Sequence, residues 1–440
     1  MSDTRPAAAP IAAKRQVFAW ALWDFGATGL NAIVVTFVFS VYLTNVVGDD
    51  LPGGASPAGL LGWALGIAGV VVALLAPVTG VWVDAPWRRR RVLGLLSGLA
   101  LVLTAAMSLI GDDYHYLLPG LLLLAGASAC NELATVPYNA MLRQLSTPTT
   151  SGQISGLGLG LGYFGSVVLL LIVYFGFVSG DGDTRGLLNL PVEDGQNVRA
   201  AMLLTAIWFG LFAVPVVMAV RSPVPRPQEP VAKVGFFSGY RILWREIVSE
   251  WRRDRNVVYY LLASAVFRDG LTGIFAFGAV LGVNVYGVSA ADVLLFGVSA
   301  SVVAALGAVA GGLLDDKFGA KAVIVTSLTA MIAVGATLMA LSGPLAFWIC
   351  GLLLCLFIGP TLSAARTLLL RISAEGKEGV AFGLYTTTGR AVSYLAPFLF
   401  STFIAVFGAD RAGMGGLLVV LLAGLLGMLA VRVPRPTTPN

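Results

Sequence analysis

The sequence predicts an all-α integral membrane protein whose twelve transmembrane helices fall into two six-helix pseudo-repeats. Three observations carry that expectation. Of 440 residues, 57% are hydrophobic and only 12% are charged, about half the charge of an average soluble domain, which is too little to cover a water-facing surface. Apolar runs long enough to cross a hydrocarbon layer, roughly 20 residues each, recur from one end of the chain to the other. Landmark motifs also repeat at a nearly constant offset. The 53 glycines suit helices whose backbones approach closely in lipid.

In order, the runs are Phe18–Val46, Gly59–Val83, Val92–Ile110, Tyr116–Leu142, Gly152–Val178, Val198–Val220, Val257–Val283, Val293–Leu314, Ala322–Leu341, Leu345–Leu370, Val380–Phe407 and Gly413–Val431. The first lacks a small-residue cleavage site and is expected to be a retained span. The fifth is dense in glycine from Gly152 to Gly165. Between the sixth and seventh lies a long polar connection, Arg221–Asn256. It opens with the proline-rich stretch 222–227, a semi-rigid spacer. Phe237, Tyr240, Trp244, Ile247, Val248 and Trp251 then recur at helical spacing opposite Arg241, Arg245, Arg252 and Arg253, as in an interfacial amphipathic helix. The expected organisation is a tail at 1–17, a six-helix bundle at 18–220, a linker at 221–256, a second bundle at 257–431 and a tail at 432–440.

Basic residues orient the chain. With the N-terminus inside, the cytoplasmic segments hold 22 of the 28 and the opposite side holds three, Arg185, Arg199 and Arg411. That asymmetry predicts both termini in the cytoplasm. Arginine outnumbers lysine 23 to 5 and no organelle signal is apparent, so a cell (plasma) membrane is expected. The cysteines Cys130, Cys350 and Cys355 all fall in apolar runs and His115 is the only histidine, which argues against a disulfide framework or a metal centre. With no phosphate loop, His-Glu-x-x-His or nucleophile-elbow pattern, no enzymatic activity, cofactor or nucleic-acid partner is expected. The expected partners are a small solute and membrane lipids, with the chain acting as a monomer.

The repeat is visible at two places. Gly80-Val-Trp-Val-Asp84 after the second run matches Gly312-Leu-Leu-Asp-Asp316 after the eighth, 232 residues on. Gly156-Leu157 and Gly162 in the fifth match Gly383-Leu384 and Gly389 in the eleventh, 227 residues on. Parallel repeats joined by a long linker suit a solute site near the midplane between them.

The loop pattern completed by Lys317, Gly319 and Lys321 resembles the signature of the major facilitator superfamily; the first copy has Ala85 and Trp87 where a basic residue and glycine are usual. Further stretches resemble the vacuole-effluxer family, the autophagy-related amino-acid effluxers and their bacterial relatives. These are Trp23-Asp24-Phe25, Val136-Pro-Tyr138-Asn139-Ala140, Ser155-Gly156-Leu-Gly158, Phe267-Arg268-Asp269-Gly270, Ser363-Ala-Ala-Arg366, Phe382-Gly383-Leu384-Tyr385 and Gly389-Arg390. The resemblance implies the major facilitator fold and efflux of an amino acid or similar small polar solute by alternating access. It also implies that Asp84, Arg88, Asp316 and Lys317 couple the loops to gating helices. The coupling ion, proton or sodium, stays open. The alternatives are an uncoupled facilitator and a carrier of lipid or hydrophobic solutes on the same fold.

Six charges fall within runs: Asp24, Glu132, Arg268, Asp269, Arg366 and Arg390. Unpaired, they would together cost about 15–20 kcal/mol, comparable to the stability of a whole protein, so they must be paired, hydrated or near an interface. Asp24 shares a helical face with Thr28 and Asn31. Glu132 lies in mid-span with Tyr138 and Asn139 beyond it and suits a proton carrier. Arg268 and Asp269, about 100° apart, are expected to meet different partners, with solute or coupling-ion contact as the expected role. Asp269 with Thr272 and Gly273 is expected to echo Asp24 with Thr28 and Gly29. Arg366 and Arg390 could hold a solute carboxylate bidentately or lock an inner gate.

Overall fold

The computed structural model describes residues 14–52, 56–220 and 255–433, together with scattered positions of the linker. Most of the expected amphipathic helix, Phe237, Ile247, Trp251 and Arg253 included, lies outside the described residues, as do most of both expected tails.

Twelve helices among the described residues are long and apolar enough to cross a membrane. They are α1 Lys14–Val47, α2 Pro57–Val83, α3 Pro86–Leu109, α4 Tyr114–Ala140, α5 Ser151–Val178, α6 Glu193–Ala219, α7 Arg255–Asn284, α8 Leu295–Phe318, α9 Ala320–Ala340, α10 Pro344–Ile372, α11 Glu378–Phe407 and α12 Ala412–Ala430. Each coincides with one predicted run. A two-residue hairpin, β1 Thr184–Arg185 against β2 Leu190–Pro191, caps the α5–α6 connection.

Among the described residues, α1 and α11 depart most from the regular rods that hydropathy predicts, and α5 ends in a π-helical turn over Tyr174–Val178. The outer part of α1 contains π-helical turns over Ala32–Phe37 and Leu43–Val47, with a kink at Val38, whose φ is −120°. Such turns are frequent at functional sites. The regular helix of α11 stops at Val392 and restarts at Leu395. Pro397 is the cause: it has no N–H to give the Ser393 carbonyl, and its ring would clash with that carbonyl in a continuous helix.

The halves meet along two glycine crossings related by the repeat. In α5 against α8, a Cβ on Gly152 would stand 2.5 Å from the Gly312 carbonyl. In α11 against α2, a Cβ on Gly383 would stand 2.6 Å from the Ala76 carbonyl. Only glycine permits backbones this close. Both crossings lie toward the end of the bundle where Gln16 bonds the Ala219 carbonyl at 3.2 Å and Lys321 bonds the Val431 carbonyl at 2.5 Å. This is termed the basic end.

Candidate functional site

The basic end is held shut by two sets of interactions that mirror each other. Asp84, just past α2, accepts a hydrogen bond of 3.0 Å from the Val380 amide at the start of α11. Asp316, at the end of α8, accepts bonds of 2.7 and 2.8 Å from the Gly152 and Gln153 amides at the start of α5. Each aspartate thus supplies a carboxyl oxygen to a helix N-terminus of the opposite half, where unpaired amides need an acceptor and the helix dipole favours negative charge. Burial nevertheless dominates at Asp84 and pushes its carboxyl up to about 7, against the Val380 amide and the charges of Lys377 and Arg89.

Ion pairs reinforce both caps. Glu378, 2% exposed, receives Arg89 at 2.8 Å and Arg143 at 3.0 Å. Arg89 also donates to the Val83 and Ala140 carbonyls, and Arg143 to that of Leu370. On the mirrored side, Arg371 bonds Asp315 at 2.5 Å, Asp316 at 3.3 Å and the Ser151 hydroxyl at 2.9 Å. Of the loop residues singled out in the sequence, Asp84 and Asp316 are in this lock. Arg88 and Lys317 are not among its bonded side chains: Arg88 is half-buried, and exposed Lys317 lies over the Phe318 ring. Arg89, one residue and about 100° further round the helix, is the arginine turned inward. Glu378, Arg143, Arg371 and Asp315 do not stand out in the sequence as lock residues, because charges at span ends look like ordinary interfacial residues. The run Lys377-Glu378 opening α11 was the available signal.

Toward the midplane lies a second layer. Asp24 of α1 pairs with Arg366 of α10 at 3.5 Å, and the two side chains are 13% and 9% exposed. Around them, the Thr28 and Tyr138 hydroxyls donate to Asp24 at 3.3 and 3.4 Å. Arg366 also donates to Asn139 at 3.3 Å and the Ser155 carbonyl at 3.2 Å. Trp20 stacks on Tyr138 with ring centres 4.4 Å apart. Arg366 therefore does not snorkel to the interface. Glu132 of α4 pairs with Arg390 of α11 through both oxygens, one contact measuring 2.6 Å. Asn31, the third member of the α1 stripe, is exposed one turn beyond Thr28. Asn131 beside Glu132 keeps a buried Oδ1 without a donor.

Arg268 and Asp269 do go to different partners. Asp269, 6% exposed, accepts the Ala396 amide at 2.6 Å, which is freed by the break in α11. Arg268 lies 3.4 Å above the Tyr385 ring and donates to the carbonyls of Ser264 at 3.2 Å and Tyr385 at 2.6 Å. A cation over an aromatic ring gains about 0.5–2 kcal/mol, less than the roughly 2.5–3.5 kcal/mol cost of a charge at mid-membrane.

The expected echo between α1 and α7 is displaced by one position. Asp24-Phe-Gly26-Ala-Thr28-Gly29 aligns with Arg268-Asp-Gly270-Leu-Thr272-Gly273, so the counterpart of Asp24 is Arg268 rather than Asp269. Packing agrees, because Gly162 of α5 abuts Asp24 and Thr28 while its counterpart Gly389 of α11 abuts Arg268.

Comparison with known proteins places this arrangement. The family model described as "Vacuole effluxer Atg22 like" matches residues 62–438. An uncharacterised MFS-type transporter of Bacillus subtilis, YxiO, is 23% identical over 427 residues, covering 97% of this chain and 96% of that protein. Autophagy-related protein 22 of Yarrowia lipolytica is 22% identical over 313 residues, covering 65% of this chain. The match spans about half of that fungal relative's own length, 51%. The crystal structure of the major facilitator transporter FucP in its outward conformation superposes with a TM-score of 0.71 at 15% identity, over 95% of this chain and 99% of that one. The fold is that of the major facilitator superfamily, and the relatives are transporters, not enzymes.

Proposed function

Because the chain belongs to the vacuole effluxer Atg22-like family, we propose that this multi-pass membrane transporter is a secondary carrier that exports a small zwitterionic solute, an amino acid or a close analogue, by alternating access. One observation carries the reading. Both midplane ion pairs, Asp24–Arg366 and Glu132–Arg390, join the first six helices to the last six. Opening the basic end separates the halves and must part these charges. Removing one partner of a buried pair costs about 3–5 kcal/mol. A solute with its own ammonium and carboxylate replaces both partners at once: the ammonium faces Asp24, and the carboxylate takes the forked donors of Arg366. Thr28, Tyr138 and Asn139 stand within reach of these groups, and the orphaned Oδ1 of Asn131 offers a further acceptor.

The basic end is then the cytoplasmic one, with both termini there, a reading supported by 22 basic residues against three. The membrane is the cell membrane. Glu132 is the candidate for proton coupling, since protonation releases Arg390 without a solute. Counterflow of radiolabelled amino acids in proteoliposomes, with and without a pH gradient, tests the reading. Saturable exchange in the protein, and its loss in Asp24→Asn, are expected. Exchange without any effect of the gradient would favour the uncoupled facilitator, and no exchange of any amino acid would remove the substrate class.

A further inference from the structure

We infer that Arg268 is a resident anion site at the seam between the halves, and that the preferred solute is an acidic amino acid whose side-chain carboxylate sits on this guanidinium. The inference rests on the amino-acid reading above and adds which amino acids.

The six in-membrane charges do not close as three pairs. Asp24 answers Arg366 and Glu132 answers Arg390. Asp269 is committed to the Ala396 amide, so among the described residues Arg268 has no carboxylate in an ion pair. Two of its five N–H groups go to the Ser264 and Tyr385 carbonyls, which leaves three donors in a planar fork uncommitted. The Tyr385 ring beneath and Gly389 beside it hold the guanidinium in one place. A Cβ at Gly389 would stand 2.7 Å from its Nη2.

The guanidinium is also on the right face. Arg268, Thr272 and Phe275 share one side of α7 at i, i+4 and i+7, the spacing of Asp24, Thr28 and Asn31 on α1. Phe275 lies nearly parallel to Tyr163 of the opposite half, ring centres 6.3 Å apart, and Thr272 is exposed one turn from Arg268. The donors therefore stand at the boundary that solute binding occupies. A neutral zwitterion replacing the Asp24–Arg366 contact leaves these three donors unused. A solute with an additional carboxylate gives them an acceptor.

Glutarate, which has two carboxylates and no ammonium, separates this site from the zwitterion pair. With full-length purified protein, glutarate is expected to raise the melting temperature, and Arg268→Gln to abolish the shift. Gly389→Ala, which keeps the charge but displaces the fork, is expected to weaken apparent glutarate affinity about tenfold, and it serves as the variant if Arg268→Gln does not fold. In proteoliposomes, glutamate is expected to out-compete glutamine in counterflow by about tenfold, with the preference lost in Arg268→Gln. No glutarate shift in the unmodified protein, or an equal shift in both variants, overturns the inference even where neutral amino acids exchange. A shift that depends on Arg268 without exchange of any amino acid supports the anion site and removes the amino-acid reading instead.

Discussion

Asp24 and Arg366 show how much of a membrane site one residue can disclose. A carboxylate seven residues into an apolar run and a guanidinium in another must each be compensated, and both were legible as candidates in the sequence. Their partnership was not, because it bridges 342 residues and no local pattern encodes it. Charge exchange tests the pair. Asp24→Asn and Arg366→Asp are each expected to lower the melting temperature, corresponding to about 3–5 kcal/mol of lost stability. The double variant Asp24→Arg with Arg366→Asp is expected to regain most of that in thermal unfolding. Counterflow should stay lost, since the solute would meet the charges in reverse order.

Arg89 and Glu378 mark the opposite case. Both sit at helix ends, where charge is cheap and sequence reasoning assigns it to the interface, yet they are 2% exposed. Their burial arises only when α3, α4 and α11 converge. Glu378→Gln leaves the Arg89 and Arg143 guanidinia without an anion. Cysteine pairs placed across the basic end should then cross-link less efficiently than in the parent protein, whereas equal cross-linking would remove Glu378 from the lock.

At the scale of the element, α11 is instructive because its hydropathy is continuous and its backbone is not. Pro397 announces an interruption in the sequence, but the acceptor that stabilises it comes from α7. Asp269 therefore acts on α11 as an N-cap residue acts on a helix start. Asp269→Ala should cost about 1–2 kcal/mol of stability by thermal unfolding. Asp269→Asn retains an acceptor oxygen and should cost less than half of that while preserving transport. Loss of transport in a stably folded Asp269→Asn protein would assign the charge itself a role beyond capping. The glycines of α5 and α11 were legible as close-packing positions; which helix each meets followed only from the three-dimensional crossing.

For the whole molecule, the inter-half hydrogen bonds described above run from the basic end to the Glu132–Arg390 level, so this conformation is the one closed at that end. Its closure carries a pH dependence through Asp84. The closed end holds the Asp84 proton up to about pH 7, whereas an exposed aspartate releases it near 3.9. The closed form thus binds the proton more tightly. Closure is favoured fully below about pH 4, and that advantage is lost as the pH rises through about 7. Lys377 and Arg89 oppose the shift, while the neighbouring Glu378 adds to it. Distances between spin labels across the basic end should lengthen on average as the pH is raised through this window. Asp84→Asn should flatten that dependence, and an unchanged profile in the variant would exclude Asp84 as its source. The twelve spans and their duplication were readable from composition and period alone, because lipid imposes both on the sequence. The closed state was not, because it depends on contacts between distant helices.

The crossed caps also bear on ancestry. Asp84 completes a helix start in the second half, and Asp316 completes the matching start in the first. A lone six-helix unit would present one unattached aspartate and one bare row of amides, complementary to each other but on the same molecule and pointing away. Two identical copies around a two-fold axis satisfy both at once. The seam of the present chain is thus the kind that a homodimer could have possessed before any gene fusion, and the linker needed only to record a partnership that symmetry had already made.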